Sequence, residues 1–178
     1  MKFTLVPFQP AGFIESVVCH VDIDDSGESS TLSISYHLKG DLNRIKWPDE
    51  SDLQDENREL WRNTCFEFFI GHESGNDYCE FNQSPSGNWA GFEFDDYRSN
   101  MKQSNAVYAN EFHISRDQNE CHAVLDLPAP GTSTIYLGLA LVIRDVDEQL
   151  HYFGLSHPDD APDFHVRAHH QLIALTTL

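Results

Sequence analysis

Basic residues are scarce in this chain: 11 Lys and Arg stand against 29 Asp and Glu among 178 residues, a formal charge of −18 at pH 7. Repulsion on that scale opposes encounter with phosphate backbones and anionic membrane surfaces, so neither nucleic acid nor a membrane is an expected partner. Long hydrophobic runs are missing too. No segment approaches the roughly 20 apolar residues that span a bilayer. The opening MKFTLVPFQPAGF, one Lys and an apolar run broken by Pro7 and Pro10, lacks the sustained hydrophobic stretch of a secretory signal. The four cysteines, Cys19, Cys65, Cys79 and Cys121, show no CxxC spacing, and without CxxCH covalent haem attachment is excluded. Repeats, heptads and low-complexity tracts do not occur. Much of the acidity sits in apparent loops, Asp22 to Glu28 and Asp49 to Glu59, where it serves solubility.

What is present is a series of short alternating segments. At 178 residues, 40% hydrophobic and 12% aromatic, the chain is long enough for one well-buried core, and one domain over 1–178 is expected. Glu15 to Asp24, Thr31 to Lys39 and Arg44 to Trp47 read as strands, the second alternating Leu32, Ile34, Tyr36 and Leu38 against Ser33, Ser35, His37 and Lys39. Later come Phe112 to Arg116, Cys121 to Leu127, Ile135 to Arg144, Leu150 to Leu155 and Gln171 to Leu175. Ile135 to Ile143 is apolar on both parities, as for a central strand covered on two sides. Turn chemistry divides the strands at Asp25-Ser26-Gly27, Pro128-Ala129-Pro130-Gly131 and Pro158 to Pro162, while Asp49 to Trp61 suits a loop or a short helix. The expected fold is all-β: an antiparallel two-sheet β-sandwich, jelly-roll-like. The cysteines lie in strand segments, Cys19 in phase with Val17, Val21 and Ile23, and Cys121 with Ala123, Leu125 and Leu127. Reduced core thiols and a cytoplasmic location are therefore expected.

The stretch Leu60 to Met101 concentrates candidate chemistry. Alternate side chains of a strand face opposite ways. Phe66, Phe68 and Ile70 oppose Cys65, Glu67 and Phe69; Cys79 and Phe81 oppose Tyr78, Glu80 and Asn82; Ala90, Phe92 and Phe94 oppose Trp89, Gly91 and Glu93. With the Phe-rich sets turned to a common core, Glu67, Glu80, Asn82, Trp89 and Glu93 line the other side together. Gly91 leaves space beside Trp89.

The same residues carry a resemblance. LWRNTCFEFFI at Leu60 to Ile70, EFNQSPSGNWA at Glu80 to Ala90, then Tyr97-Arg98 and Met101, resemble the bacterial DOMON-like domains related to family-nine carbohydrate-binding modules. Ser156-His157-Pro158 and Pro162-Asp163-Phe164-His165 are similar to the pattern near the end of those domains. The resemblance implies a β-sandwich; relatives in the wider group bind sugars or haem.

The expected site joins Trp61 and Trp89, whose faces suit stacking against a sugar ring, to Glu67, Glu80, Asn82, Glu93 and Arg98, which hydrogen-bond hydroxyls. Arg98 has the alternative of pairing with a neighbouring carboxylate to hold the face together. Two glutamates across a cleft are also what glycoside hydrolysis needs, but parity supplies no separation and the resemblance is to binding modules, so binding without catalysis is expected. The alternative is a structural or protein-interaction module whose sheet face docks a partner. His157, Asp163 and His165 are weak metal candidates: their spacing fits no compact zinc motif, and the prolines between them suit a rigid turn. Asp159, Asp160 and Asp163 lack an EF-hand pattern. His169-His170 reads as a surface pair. Met101 is the sole methionine beyond Met1 for axial haem ligation, and the motif around it is not the haem-ligating one, so no cofactor is expected.

Overall fold

The structure, a computed structural model, describes residues 1–24, 31–49, 59–105, 111–129 and 133–175. Among these residues twelve strands form: β1 (Lys2–Pro7), β2 (Ile14–Asp24), β3 (Thr31–Gly40), β4 (Cys65–His72), β5 (Tyr78–Gln83), β6 (Trp89–Phe94), β7 (Lys102–Gln103), β8 (Glu111–Arg116), β9 (Glu120–Pro128), β10 (Thr134–Arg144), β11 (Leu150–Gly154) and β12 (Gln171–Ala174). Among the described residues the helical segments are three-residue 3-10 turns, at Leu42–Arg44, Leu60–Arg62 and Arg167–His169. No helix among them is long and apolar enough to cross a membrane.

The strands make one continuous antiparallel sheet, β7-β6-β5-β4-β10-β11-β1-β2-β3-β9-β8, with β12 beside β10. Two separate sheets were the expectation, and β1 is the reason for the difference. Its Lys2 to Leu5 pair with β2, whereas Val6 and Pro7 pair with β11. Pro7 sits at the strand's last position, where a missing N–H is tolerated. The sheet curls about this join, and its two limbs share a core. Val17, Ile34, Leu38 and Leu125 of the first limb cluster there with Phe66, Phe68, Phe81 and Leu139 of the second. Tyr36 of β3, fully buried, lies 5.2 Å from Phe66 between ring centroids, and its hydroxyl donates to the Glu67 carbonyl of β4 at 2.7 Å. Each buried Leu, Ile or Phe contributes about 1.5–3 kcal/mol, and the buried hydrogen bond about 1 kcal/mol.

The segments read as Glu15 to Asp24, Thr31 to Lys39, Phe112 to Arg116, Cys121 to Leu127 and Ile135 to Arg144 are strands to within one residue at either end. Arg44 to Trp47 is not a strand: a 3-10 turn leads into a single bridge between Ile45 and Asp145. The turn at Asp25-Ser26-Gly27, Pro130-Gly131 and positions 50–58 of the acidic stretch lie outside the described residues. Cys19, Cys65, Cys79 and Cys121 are free thiols, Cys79 half-buried and the others buried.

Phe92 and Phe94 depart from their expected place. The loop Ser84 to Asn88, closed by Ser84 N–H to Asn88 O at 2.8 Å, sets a register in which Gln83 faces Trp89, Phe81 faces Gly91 and Glu80 faces Phe92. Cross-strand partners share a face. Phe92 and Phe94 therefore join Phe69, Tyr78, Ala90 and Ala140 in a second cluster on the outer side of the second limb. Both faces of this limb are buried, so aromatic content alone does not distinguish them.

Candidate functional site

The outer face of the second limb is assembled by register. Glu67 lies opposite Asn82, Phe69 opposite Glu80, and Ala140 opposite Glu67, which brings two glutamates into one apolar patch. Three segments cover that patch. The turn Leu60–Arg62 carries Trp61, set edge-on to Phe92 at 5.8 Å. The bend after β6 carries Arg98 with a left-handed backbone (φ 48°), a conformation costing a non-glycine residue about 1 kcal/mol or more. Its N–H donates to the Tyr78 hydroxyl at 3.1 Å. The segment between β11 and β12 brings Pro162, Phe164 and His165.

This cover is pinned by polar contacts. Asp163 accepts from Arg98 Nη2 at 3.0 Å, from the Tyr97 hydroxyl at 2.5 Å and from the His165 N–H at 3.0 Å. Tyr78 Oη lies 2.7 Å from His165 Nδ1. The same oxygen accepts the Arg98 N–H, and the other ring nitrogen of His165, Nε2, lies 3.7 Å from Glu80 Oε2. His170 donates from Nε2 to Phe164 O at 2.8 Å and packs on Phe69. It is buried, not the surface residue its pairing with His169 suggests. Its ring fills the space where a Cβ on Gly138 would stand.

Between cover and sheet lies a cavity of about 470 Å³. Its walls are Trp61, Phe94, Tyr152 and Phe164 with Val142, Leu150, Met101 and Pro162; its polar groups are Glu67, Glu80, Arg62, Arg98 and His165. Glu67 is 3% exposed and its Oε1 has no hydrogen-bond partner. Burial drives its carboxyl well above the ordinary range, reinforced by Glu80 and opposed by Arg98. Glu80 accepts from Asn82 Nδ2 at 2.7 Å; burial lifts it to about 7 against that hydrogen bond and the Arg98 charge. Burial likewise lowers His165 to about 4. At 3.7 Å the Glu80–His165 contact is too long for a hydrogen bond, and burial favours the neutral form of each partner, so we read them as acid beside imidazole rather than as an ion pair.

Of the residues expected at the site, Trp61, Glu67, Glu80 and Arg98 meet at this cavity. Asn82 is fully buried behind it and holds Glu80. Trp89 and Glu93 are on the other face, contrary to the expected common face. Trp89 stacks on Phe81 at 5.5 Å and packs against the main core, while Glu93 accepts from Ser104. The cause is the Gln83–Trp89 register, which inverts the assumed phase of β6. The face is also roofed rather than open. Of the weak metal candidates, Asp163 and His165 are engaged as described. His157 lies apart, with Nε2 2.8 Å from Val6 O and its ring against Phe8. No group of three or more His, Cys, Asp or Glu among the described residues is arranged to hold a metal ion. Sequence reasoning missed Tyr152 and Phe164; Tyr152 shares strand parity with Leu150, the one signal that pointed to it.

No protein-family model matches the chain, and no curated protein matches it. A solved structure does. It is a crystal structure described as a "putative carbohydrate-binding protein" from Bacteroides uniformis, with TM-score 0.71, 13% identity, and coverage of 98% of this chain and 85% of that one. The likeness is one of fold.

Proposed function

We propose that this protein binds a small polyhydroxylated ligand, a carbohydrate of one or two rings, in the covered cavity of the second limb, and that it does so without turnover. The observation that carries the reading is the combination of aromatic walls with buried carboxyl groups in about 470 Å³. Volumes of roughly 300–1,000 Å³, mostly apolar with a few convergent polar groups, are typical of small-molecule sites. Trp61, Tyr152 and Phe164 offer faces to sugar C–H groups, and Glu67, Glu80 and Arg98 offer hydrogen bonds to hydroxyls. The fold likeness to a protein described as carbohydrate-binding supports the class of ligand. In this reading the chain is a cytoplasmic DOMON-like relative of carbohydrate-binding modules, its curled sheet a joined form of the two-sheet jelly-roll sandwich.

The test is calorimetry across a broad panel of mono- and disaccharides. A single ring held by stacking and a few hydrogen bonds should bind with a dissociation constant on the order of 10 μM to 1 mM. Trp61→Ala should abolish the heat, whereas Trp89→Ala should leave affinity within about twofold, because Trp89 faces away from the cavity. Silence across the panel, or dependence on Trp89 and not on Trp61, would overturn the reading.

A further inference from the structure

We infer that the ligand carries a positively charged nitrogen, so that within the carbohydrate class it is an amino sugar of the hexosamine type, its ammonium group seated against Glu67. This rests on the carbohydrate reading of the cavity and narrows it. Glu67 lines the cavity, is 3% exposed, and leaves Oε1 without a hydrogen-bond partner. A buried acceptor left unmatched is costly and calls for a donor from elsewhere. The neighbouring carboxyl does not have that need, since Glu80 Oε1 already takes the Asn82 amide at 2.7 Å. The walls point the same way: Trp61, Tyr152 and Phe164 are rings whose faces attract a desolvated cation. A chain of net charge −18 draws cations towards it over long range.

The charged groups that act on Glu67 are Glu80 of β5 and Arg98 of the bend after β6, and Glu67 in turn raises Tyr152 of β11, Cys65 of its own strand and Tyr36 of β3. Arg98 is the opposing charge, and its ion pair with Asp163 at 3.0 Å takes up much of it. Burial raises the Glu67 carboxyl well above the ordinary carboxylate range, which favours its protonated form before binding. Seating an ammonium ionises it: the carboxyl O–H bond breaks, the proton leaves to buffer, and the carboxylate accepts an N–H of the ligand. No electrons are transferred. A neutral sugar leaves the proton in place.

The experiment is calorimetry on the full chain near pH 7 with glucosamine, glucose and N-acetylglucosamine, each in two buffers of different ionisation enthalpy. Glucosamine should bind about tenfold or more tightly than glucose, and N-acetylglucosamine, uncharged at nitrogen, should not share the gain. Glucosamine alone should release protons, up to one per site, read as a buffer-dependent heat. Glu67→Gln should bring glucosamine to within about twofold of glucose, both measured on that variant. Equal binding of glucose and glucosamine without proton release would sink the amino-sugar inference and leave the carbohydrate reading standing. Silence with all three sugars would sink both. A glucosamine preference that survives Glu67→Gln would overturn the seat at Glu67. The proton count needs no variant, so it decides whether a cavity carboxyl ionises on binding even if Glu67→Gln fails to fold.

Discussion

The two limbs of the sheet bury the same kind of core and differ on their outer faces. On the first limb, β3 alternates buried Leu32, Ile34, Tyr36 and Leu38 with half-exposed Ser33, Ser35 and His37 and exposed Lys39, and His122 of β9 is exposed beside His37. On the second, both parities are covered: Phe66 and Phe68 point to the core while Glu67, Phe69, Glu80, Asn82 and Phe94 are buried under the outer cover. Strand alternation is the same in both. What differs is the roof, so polar residues that would be solvated on the first limb become desolvated, with shifted acidities, on the second. A site arises here from the cover, not from the strand pattern.

The largest effect expected from this contrast is in charge burial. Folding raises Glu80 from its ordinary 4.5 to about 7, with burial the first cause. The folded chain thus retains a proton that the unfolded chain gives up, and this stabilisation is whole below 4.5 and lost as pH rises through about 7. Glu80→Gln carries no charge at any pH and keeps an acceptor for Asn82. At pH 8 it should exceed wild type in stability by up to about 3 kcal/mol, the difference vanishing near pH 4, as measured by urea denaturation. His165 has the opposite slope. Burial lowers it from 6.5 to about 4, so its contribution is present above 6.5 and lost as pH falls through about 4. In wild type the two slopes oppose between these limits, and Glu80→Gln should expose the histidine slope. Equal gains at pH 4 and pH 8 would show Glu80 to be solvated and erase this difference between the limbs.

The roof itself is the next target. A Cβ on Gly138 would stand 2.6 Å from His170 Nε2, closer than real contacts allow, and His170 holds Phe164 through its carbonyl. Gly138→Ala should therefore destabilise by about 2 kcal/mol and weaken ligand binding as Phe164 shifts. Ser35→Ala, at a half-exposed position on the open limb, should stay within about 0.5 kcal/mol. Thermal melts of the two variants compare the limbs directly.

How much of this was legible in sequence follows from the same contrast. Period-two alternation found β2, β3, β8, β9 and β10 because each faces the core with one clean parity, or, in β10, with both. It failed on β6, where Phe92 and Phe94 signal burial but not which side, and where the five-residue loop Ser84 to Asn88 decided the phase. Glu67, Glu80, Arg98 and Trp61 were found through motif and parity. Phe164 was not, because a roof folded from a proline-containing segment has no period to read; Tyr152 was not, because parity on β11 does not say which face of that strand lines a cavity. The continuous sheet was hidden for a similar reason: β1 changes partner between Leu5 and Val6, and nothing in Leu5-Val6-Pro7 announces it.

A smaller effect is expected where the roof is pinned from outside. Asp163 holds Arg98, Tyr97 and the His165 backbone at once, its side chain 17% exposed. Asp163→Ala should destabilise by about 1–2 kcal/mol and free the Arg98 charge to face the cavity. Stability unchanged while sugar affinity falls would mean that the pin orders the site without supporting the fold; loss of neither would remove Asp163 from the account.

The smallest effect belongs to the open limb. His37 and His122 stack at 4.1 Å between ring centroids, with His20 edge-on to His37 at 5.3 Å. His37 titrates below its ordinary value, first through partial burial, then through the nearby His122 and His20, with Glu120 opposing and Lys39 adding to the fall. Three imidazoles in a row resemble a built site, but this face has no roof, and solvent screens each ring. His122→Ala removes one neighbouring positive charge and part of the cover on the His37 ring. Both changes raise the His37 titration midpoint, which an NMR pH titration of the ring protons reads directly. Global stability should move by less than about 0.5 kcal/mol at pH 7. A loss as large as that expected for Gly138→Ala would show that the first limb depends on its outer face after all, and the distinction between an open and a roofed limb would no longer explain where the cavity lies.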